Sequence, residues 1–506
     1  MKKILSLLAA FGVMFYISSC SDDDDPAVDN GVTISGIPAT ATVENLGTLG
    51  PVSATVEGAD GLVSLVITKD DAALETVDLT GSTTASYEFS YTAVAEDEDT
   101  NIVFTFTATD VDGDTDVVTH VLSVGEAEEP VETPIVIVRG EIEENTTWPA
   151  DKIYQLDTRV TVPDGITLTI EAGTVVKGNE GQGAAATALL VARGGTLNAN
   201  GTAALPIIFT STLDPIDPAD IAAGNYASTT SETQSGLWGG VIILGKAPIT
   251  GKNLTTDEEN QTELQIEGIP TSDPNGLYGG DDENDNSGTI SYISIRHGGT
   301  NIGSGNEING LTLGGVGAGT TISNVEVVAN ADDGIEFFGG SVSVDGAVIW
   351  NSFDDSMDTD MDYNGSVTNF IIVTPNTGSA FELDGPEGSV TRGEDHIFSE
   401  GVIYGGADID AIVDWDGNTN ASLNNLYFFG IEAGRIDSFG GVGTNANSNT
   451  SNWETDLADN SGGFFTGAES VLTFGVAVGS KSHGPTAADF AWTWAGNSGA
   501  LEALGL

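Results

Sequence analysis

Apolar and polar residues alternate in short runs along most of this chain, and helical spacing is hard to find. Between residues 31 and 124 the runs Val63 to Ile67, Tyr87 to Tyr91 and Ile102 to Phe106 are short alternating segments separated by Gly, Asp and Asn. Runs of this length, rich in β-branched and aromatic residues and bounded by turn formers, predict half-buried strands. Six or seven of them in this space predict a small Ig-like β-sandwich over 31–124. From Ile135 the pattern becomes a loose repeat: Thr289 to Ile295, Thr321 to Val327, Ser343 to Ile349, Ser366 to Ile372 and Ser422 to Phe428 share one frame. The wider step from 289 to 321 implies an inserted loop, and that from 366 to 422 implies two turns of the repeat. A repeat of about 20 to 25 residues, β-branched and punctuated by Gly and Asn, predicts coils of a parallel β-helix in which each coil stacks on the last. Leucine-rich repeats share that period, but their leucine-asparagine pattern is missing.

The acids between 332 and 417 fall into a second frame. Ile335–Glu336–Phe337–Phe338, Met357–Asp358–Thr359–Asp360, Phe381–Glu382–Leu383–Asp384 and Val413–Asp414–Trp415–Asp416 each place an apolar residue first and an acid second, and three of the four add Asp in fourth place. Stacked about 4.8 Å apart, Glu336, Asp358, Glu382 and Asp414 would form one column, and Asp360, Asp384 and Asp416 would continue the same face. Phe337, Leu383 and Trp415 would point inward. Carboxylates that close must share protons, splay into water or bind a cation. The sharp expectation is Ca²⁺, which takes six to eight oxygen ligands, with Asp332, Asp333, Asp354, Asp355 and Asp362 enlarging the supply. The plain alternative is a solvated acidic face. A possible second Ca²⁺ loop is Asp110, Asp112, Asp114 and Asp116 around Gly113, for which an Asp-Gly hairpin is the competing reading. The doublets Asp332–Asp333 and Asp354–Asp355 would serve a glycosidase as acid and base, since an inverting pair stands about 6.5–9.5 Å apart. His297 and His396 are candidate bases or structural hydrogen bonders.

Asn324, Asn369 and Asn425 occupy equivalent places before strand cores and predict an asparagine ladder. Trp350, Trp415 and Trp453 would stack sugars or, more simply, pack inward. Trp492 and Trp494 are expected to cap the last open coil.

The opening of the repeat region, Gly165 to Val176, Ala192 to Thr202 and Pro206 to Ser211, resembles the first coils of right-handed β-helix surface proteins. From Ile135 to about Phe474 the chain resembles β-helix lipoproteins of Bacteroidota. That resemblance implies an all-β chain, a right-handed parallel β-helix preceded by the small sandwich. It leaves activity open, because such folds host pectin-cleaving enzymes, adhesins and binding scaffolds alike. The hydrolases' Gly-His-Gly and Arg-Ile-Lys signatures are missing, and Arg296–His297–Gly298–Gly299 is a partial echo. A lyase would need a basic side chain beside the metal, and between Lys252 and Lys481 there are only Arg296, Arg392 and Arg435.

Composition narrows the ligand. The 506 residues carry 14 Lys+Arg against 76 Asp+Glu, a formal charge of -62, so nucleic acid and anionic membrane surfaces would be repelled. The 66 glycines and 4 methionines suit turn-rich β structure.

The N-terminus predicts how the chain is held. Lys2 and Lys3 precede an apolar stretch, Ile4 to Ile17, too short to be a typical membrane span. Ile17–Ser18–Ser19–Cys20 looks like a lipobox, which implies cleavage before Cys20 and lipid on that thiol. Several acyl chains, each buried CH₂ contributing about 0.8 kcal/mol, hold where one would not. Asp22 to Asp25 resembles the surface-export signal of Bacteroidota lipoproteins, implying the outer face of the outer membrane. Cys20 is the single cysteine, so no disulfide is available. The expected organisation is a signal peptide at 1–19, an acidic tether at 20–30, the sandwich at 31–124, a linker at 125–134, the β-helix at 135–474 and a C-terminal cap at 475–506. The expected function is presentation of an acidic β-helix for ligand binding, foremost glycan and calcium-assisted. The alternatives are a polysaccharide lyase or glycoside hydrolase, and a structural or adhesive surface protein.

Overall fold

The computed structural model describes residues 31–125 and 133–506, except 254–255, 268, 301–307, 375–377, 394, 407–410, 432–447, 464 and 466. The signal peptide, Cys20, the acidic run after it, linker residues 126–132 and Arg435 lie outside the described residues. The chain divides into two compact units, 1–132 and 133–506.

In the first unit a three-stranded sheet orders Thr33–Ser35, Thr48–Glu57 and Thr84–Thr92. A five-stranded sheet orders Thr40–Val43, Thr115–Val124, Asn101–Asp110, Leu62–Lys69 and Ala72–Asp78. The alternating residues of both sheets meet in one core, where Phe89 stands edge-on to Phe104 at 4.9 Å and to Phe106 at 5.3 Å. This is the sandwich that the period-two runs require.

Asp110 to Asp116 forms the hairpin turn between the last two long strands of this unit. Oδ1 of Asp110 accepts the amides of Asp112 and Asp114, and Gly113 takes φ 88°. The carboxylate of Asp116 accepts the amides of Ile34 and Val117 instead. Asp110 and Asp116 thus bind backbone amides of an Asp-Gly hairpin turn, while Oδ2 of Asp110 is buried with no partner among the described residues.

The second unit is built on a 23-stranded sheet in which successive coils pair parallel, with two small antiparallel pairs in the insertion after Leu244. In its middle each coil supplies a long bent strand and a short one. The bent strands Gly288–Arg296, Thr321–Val328, Ser343–Trp350, Ser366–Val373, His396–Tyr404 and Ala421–Phe429 stack in register. The step from 366 to 422 does hold two coils, with His396–Tyr404 between them. Side chains facing inward form one column per position, such as Ile322, Val344, Val367, Phe398 and Leu423, all buried in a single core. Each fully buried aliphatic or Phe side chain contributes about 1.5–3 kcal/mol.

The bend falls at one position in every coil, where Tyr292, Asn324, Gly346, Asn369, Glu400, Asn425 and Asn452 all have positive φ, from 50° to 87°. Asn tolerates the left-handed region better than other non-glycine residues, which explains its recurrence there. The amides then bond from coil to coil: Nδ2 of Asn369 to Asp345, of Asn425 to Glu400 at 2.8 Å, and of Asn452 to Oδ1 of Asn425 at 2.9 Å. The ladder thus includes acids as well as asparagines.

The last residues correct one expectation. Trp492 and Trp494 do not close the end of the stack. They lie along its flank, Trp492 edge-on to Tyr292 at 5.3 Å and Trp494 against Trp350 at 5.8 Å. Here the outward side chains Val348, Ile371, Val402 and Tyr427 are apolar and buried under Phe490, Trp492, Trp494 and Leu501. The anchor is Glu326, which is fully buried and accepts the amides of Trp494 and Ala495 at 2.8 and 2.9 Å. Its other neighbours are the Ser294 hydroxyl and the buried Arg296 guanidinium, 3.8 Å away. Trp415 and Trp453 are both buried, and Trp453 Nε1 donates to the carbonyl of Leu423.

Candidate functional site

The short strands carry the acids. Leu311–Gly314, Ile335–Phe338, Met357–Asp360, Ser379–Leu383 and Ala411–Trp415 stack so that Thr312, Glu336, Asp358, Glu382 and Asp414 form one column. Phe337, Thr359, Leu383 and Trp415 alternate with them and are buried on the core side. Phe338 and Asp360 continue the acidic side one step along the strands, followed by Asp384 and Asp416 in sequence.

A second column lies at the turn before these strands. Asp333 Oδ1 accepts the amide of Asp355 at 2.9 Å, and Asp355 Oδ1 accepts that of Ser379 at 2.5 Å. Each carboxyl of this pair caps the turn of the next coil, which is scaffold work. Asp332 and Asp354, the other halves of the doublets, are more exposed.

Depth separates members of the main column. Glu336 and Asp358 are buried, Glu382 is half-buried and Asp414 is exposed. Burial pushes the carboxyls of Asp333, Glu336 and Asp358 well above the usual range, and the neighbouring carboxylates push the same way. The Glu336 side chain acts the other way on Asp358, drawing it down by hydrogen bonding against the larger effect of burial. Glu382 is raised to about 10 by its hydrogen bond with Asp355 and by burial. Burial raises Asp360 to about 7, with help from Glu387, Asp384 and Glu267 and against the Met361 amide that Asp360 accepts. Asp384 reaches about 6 through burial and the charges of Asp416 and Asp414.

Two trios of carboxylates present oxygens within 4.8 Å of one another: Asp332, Asp333 and Asp354, and Asp333, Glu336 and Asp358. Buried Asn309 stands beside the second, its Nδ2 donating to Glu336. Oδ1 of Asn309 and Oδ1 of Asp358 are buried acceptors with no partner among the described residues. Such atoms are costly unless something positive or donating reaches them.

Glu336 and Asp360 open on a cavity of about 530 Å³. Its far wall comes from the insertion after Leu244, which supplies Lys252, Leu264, Ile266, Glu267, Ile269 and Tyr278, and Glu387 adds another acid. Tyr278 stands edge-on to Phe338 at 6.0 Å. The insertion carries no repeat, so neither Glu267 nor Tyr278 was legible as part of the site, and Glu387 lies in a loop outside the acid-bearing frame. Asn309 was missed because it lies one residue before Gly310, outside the acid-bearing frame.

The remaining candidates serve the scaffold. His297 Nδ1 pairs with the carbonyl of Gln234, and burial lowers its pKa. His396 is fully enclosed against the Tyr363 carbonyl and Thr359, with its pKa pushed down to about 4 by burial. Arg296 is buried beside Glu326, and Arg392 is held by Asp362 and Glu283. Lys252 lines the cavity with Glu336 and Asp360, and its ammonium is paired with Asp257 at 2.8 Å.

Comparison with known proteins gives few matches. No curated protein matches the chain. Among solved structures, a fibronectin(III)-like module of CbhA from Clostridium thermocellum aligns at 17% identity over 19% of this chain and 99% of its own, with a TM-score of 0.15. The family 28 exopolygalacturonase of Yersinia enterocolitica aligns at 10% identity over 80% of this chain and 83% of its own, with a TM-score of 0.19. A model of the pectate-lyase-like β-helix domain matches residues 140–403, just over half of the 506 residues and the whole of the acid-bearing coils up to Glu382. By that match, and by the stacked parallel coils that embody it, the chain belongs to the pectate-lyase-like β-helix domain family.

Proposed function

We propose that the protein is a glycan-binding lipoprotein of the cell surface, anchored by lipid on Cys20, whose acidic β-helix face takes its ligand in the cavity beside Glu336 and Asp360. The observation that carries this reading is the make-up of that cavity, where apolar and aromatic walls meet several carboxyls. Sugars present apolar ring faces and a rim of hydroxyls, and such a lining answers both. The family match favours the same class of ligand.

Ca²⁺ assists in this proposal. Asp333, Glu336 and Asp358, with the Asn309 amide carbonyl, would supply the first oxygens, and Asp360, Glu382 and Asp384 lie next along the face. Asp414 and Asp416 are more exposed and would serve at its edge. A cation there would offset the charge of the trio and satisfy both orphaned acceptors. Calorimetry of the full chain in detergent should show Ca²⁺ binding that Glu336→Gln/Asp358→Asn abolishes; equal heats in both proteins would remove the metal. Binding to a panel of oligosaccharides tests the glycan part, and release of the protein from cells by Cys20→Ala tests the anchor.

One observation favours glycoside hydrolysis as a second reading. Asp360, raised to about 7, faces the cavity with Glu336, and a carboxyl that holds its proton near neutrality is what a general acid needs. Reducing-sugar release from a polysaccharide panel, lost in Asp360→Asn, would establish it.

A further inference from the structure

We infer that Met361 is the residue on which the apolar face of the bound sugar rests, retained in a backbone conformation that suits glycine because its side chain serves the cavity. This assignment rests on the glycan reading above and names the contact within it. The corner that follows the short strands is Gly245, Gly315, Gly339, Met361, Gly385 and Gly417 in successive coils, and Met361 alone brings a side chain to it. Gly315, Gly339 and Met361 all take positive φ, 56°, 66° and 54°. In that region Cβ crowds the backbone, which glycine escapes and a long side chain does not. Asp362 beside it is also left-handed, at φ 64°, but its carboxylate is held there by the Thr391 hydroxyl and the Arg392 amide. Methionine has no such means of settling into this conformation. A residue held against its backbone preference points to a demand made by its side chain.

The place of that side chain shows what the demand is. Met361 is half-buried and lines the cavity with Leu264, Tyr278 and Phe338. Buried Tyr278 donates its hydroxyl to Sδ of Met361 at 3.0 Å, which fixes the end of a side chain with several rotatable bonds. One coil earlier, a Cβ on Gly339 would stand 2.7 Å from Cγ2 of Ile249 and 2.8 Å from the carbonyl oxygen of Met361, so packing requires glycine there. At 361 the side chain has the cavity to enter. It packs at the margin of the cluster of Ile266, Ile269, Tyr278 and Phe338, and because it borders open space its loss leaves no enclosed void. A thioether is polarizable and adapts to an irregular partner, so it suits the CH face of a pyranose ring. The carboxyls of Glu336 and Asp360 are then left for the hydroxyl rim.

The test pairs calorimetry of the full chain in detergent with thermal melting of the same proteins: wild type, Met361→Gly, Met361→Asn and Met361→Leu. The probes are tetrasaccharides of glucose, xylose, mannose and galacturonate. Gly and Asn suit the left-handed backbone and remove the apolar side chain, whereas Leu keeps both the strain and the apolar surface. The tetrasaccharide that wild type binds most tightly should lose about tenfold or more in affinity with Met361→Gly and Met361→Asn, and about threefold or less with Met361→Leu. The Gly and Asn variants should melt at or above the wild-type temperature. Affinity that falls while melting holds or rises is what a residue kept only for packing would not give. Unchanged affinity in Met361→Gly, an equal loss in Met361→Leu, or affinity and melting temperature falling together overturns the inference and leaves glycan binding intact. No binding of any probe by wild type overturns both.

Discussion

The same coils present two outer flanks that solve burial in opposite ways. On one, the outward residues Val348, Ile371, Val402 and Tyr427 are apolar, and the protein covers them with its own C-terminal segment. On the other, the outward residues Glu336, Asp358 and Glu382 are acids, and loops form a cavity beside Glu336 and Asp360 without filling it. Core packing is shared, because inward columns from both strands feed one cluster. The difference teaches that the scaffold is indifferent to what its outer positions carry, provided that something meets them: chain on the apolar flank, and protons or a guest on the acidic one.

The largest expected effect breaks the covered flank. Glu326→Ala leaves Arg296 buried without its carboxylate and frees two amides of the covering segment, so stability should fall by about 3–5 kcal/mol in urea unfolding. Protease should then cut first within residues 487–501. If stability is unchanged, the segment is held by its tryptophans alone.

A smaller effect sharpens the acidic flank through pH. Asp384, Asp360 and Glu382 have folded-state values near 6, 7 and 10, all above the roughly 4 of an unfolded carboxyl. Above pH about 4 the unfolded chain therefore binds fewer protons than the folded one, and stability declines as pH rises. The loss is complete for Asp384 and Asp360 just above pH 7 and continues to about pH 10 for Glu382. The melting temperature in chelator should be several degrees higher at pH 5 than at pH 9. Ca²⁺ should restore most of the difference at pH 9, and Asp360→Asn/Glu382→Gln should flatten the profile. A melting temperature that rises with pH in chelator would show that these carboxyls are ionised and solvated.

The smallest effect lies at the corner that both flanks share. Asn369, at φ 58°, is exposed, so Asn369→Ala should cost about 1 kcal/mol more than Asn369→Gly by chemical denaturation, and ligand binding should not change with either.

Register was legible in the sequence and cover was not. A strict period carries through any number of coils, so the column Glu336, Asp358, Glu382 and Asp414 follows from aligned tetrapeptides. The asparagines at the bend could be placed for the same reason, whereas the coil between 366 and 422 could be counted but its corner, Glu400, not placed, because that residue is neither Asn nor Gly. The cavity wall facing Glu336 and Asp360 comes from Tyr278, Glu267 and their neighbours, contributed by an insertion whose aperiodic sequence says nothing about which coil it folds over. The path of Trp492 and Trp494 was equally hidden. The apolar run Phe370–Ile371–Ile372–Val373 does not name the segment that covers its outer side.

The acid column also works as a ruler. Its marks are spaced by the distance between stacked strands, about 4.8 Å, and not by the number of residues between one acid and the next. The connection from Glu382 to Asp414 is longer than that from Glu336 to Asp358, yet each pair sits on adjacent strands. Loops on this face can therefore lengthen, shorten or change sequence, and so alter which ligand is admitted, while the scale against which a repeating polymer is measured stays fixed.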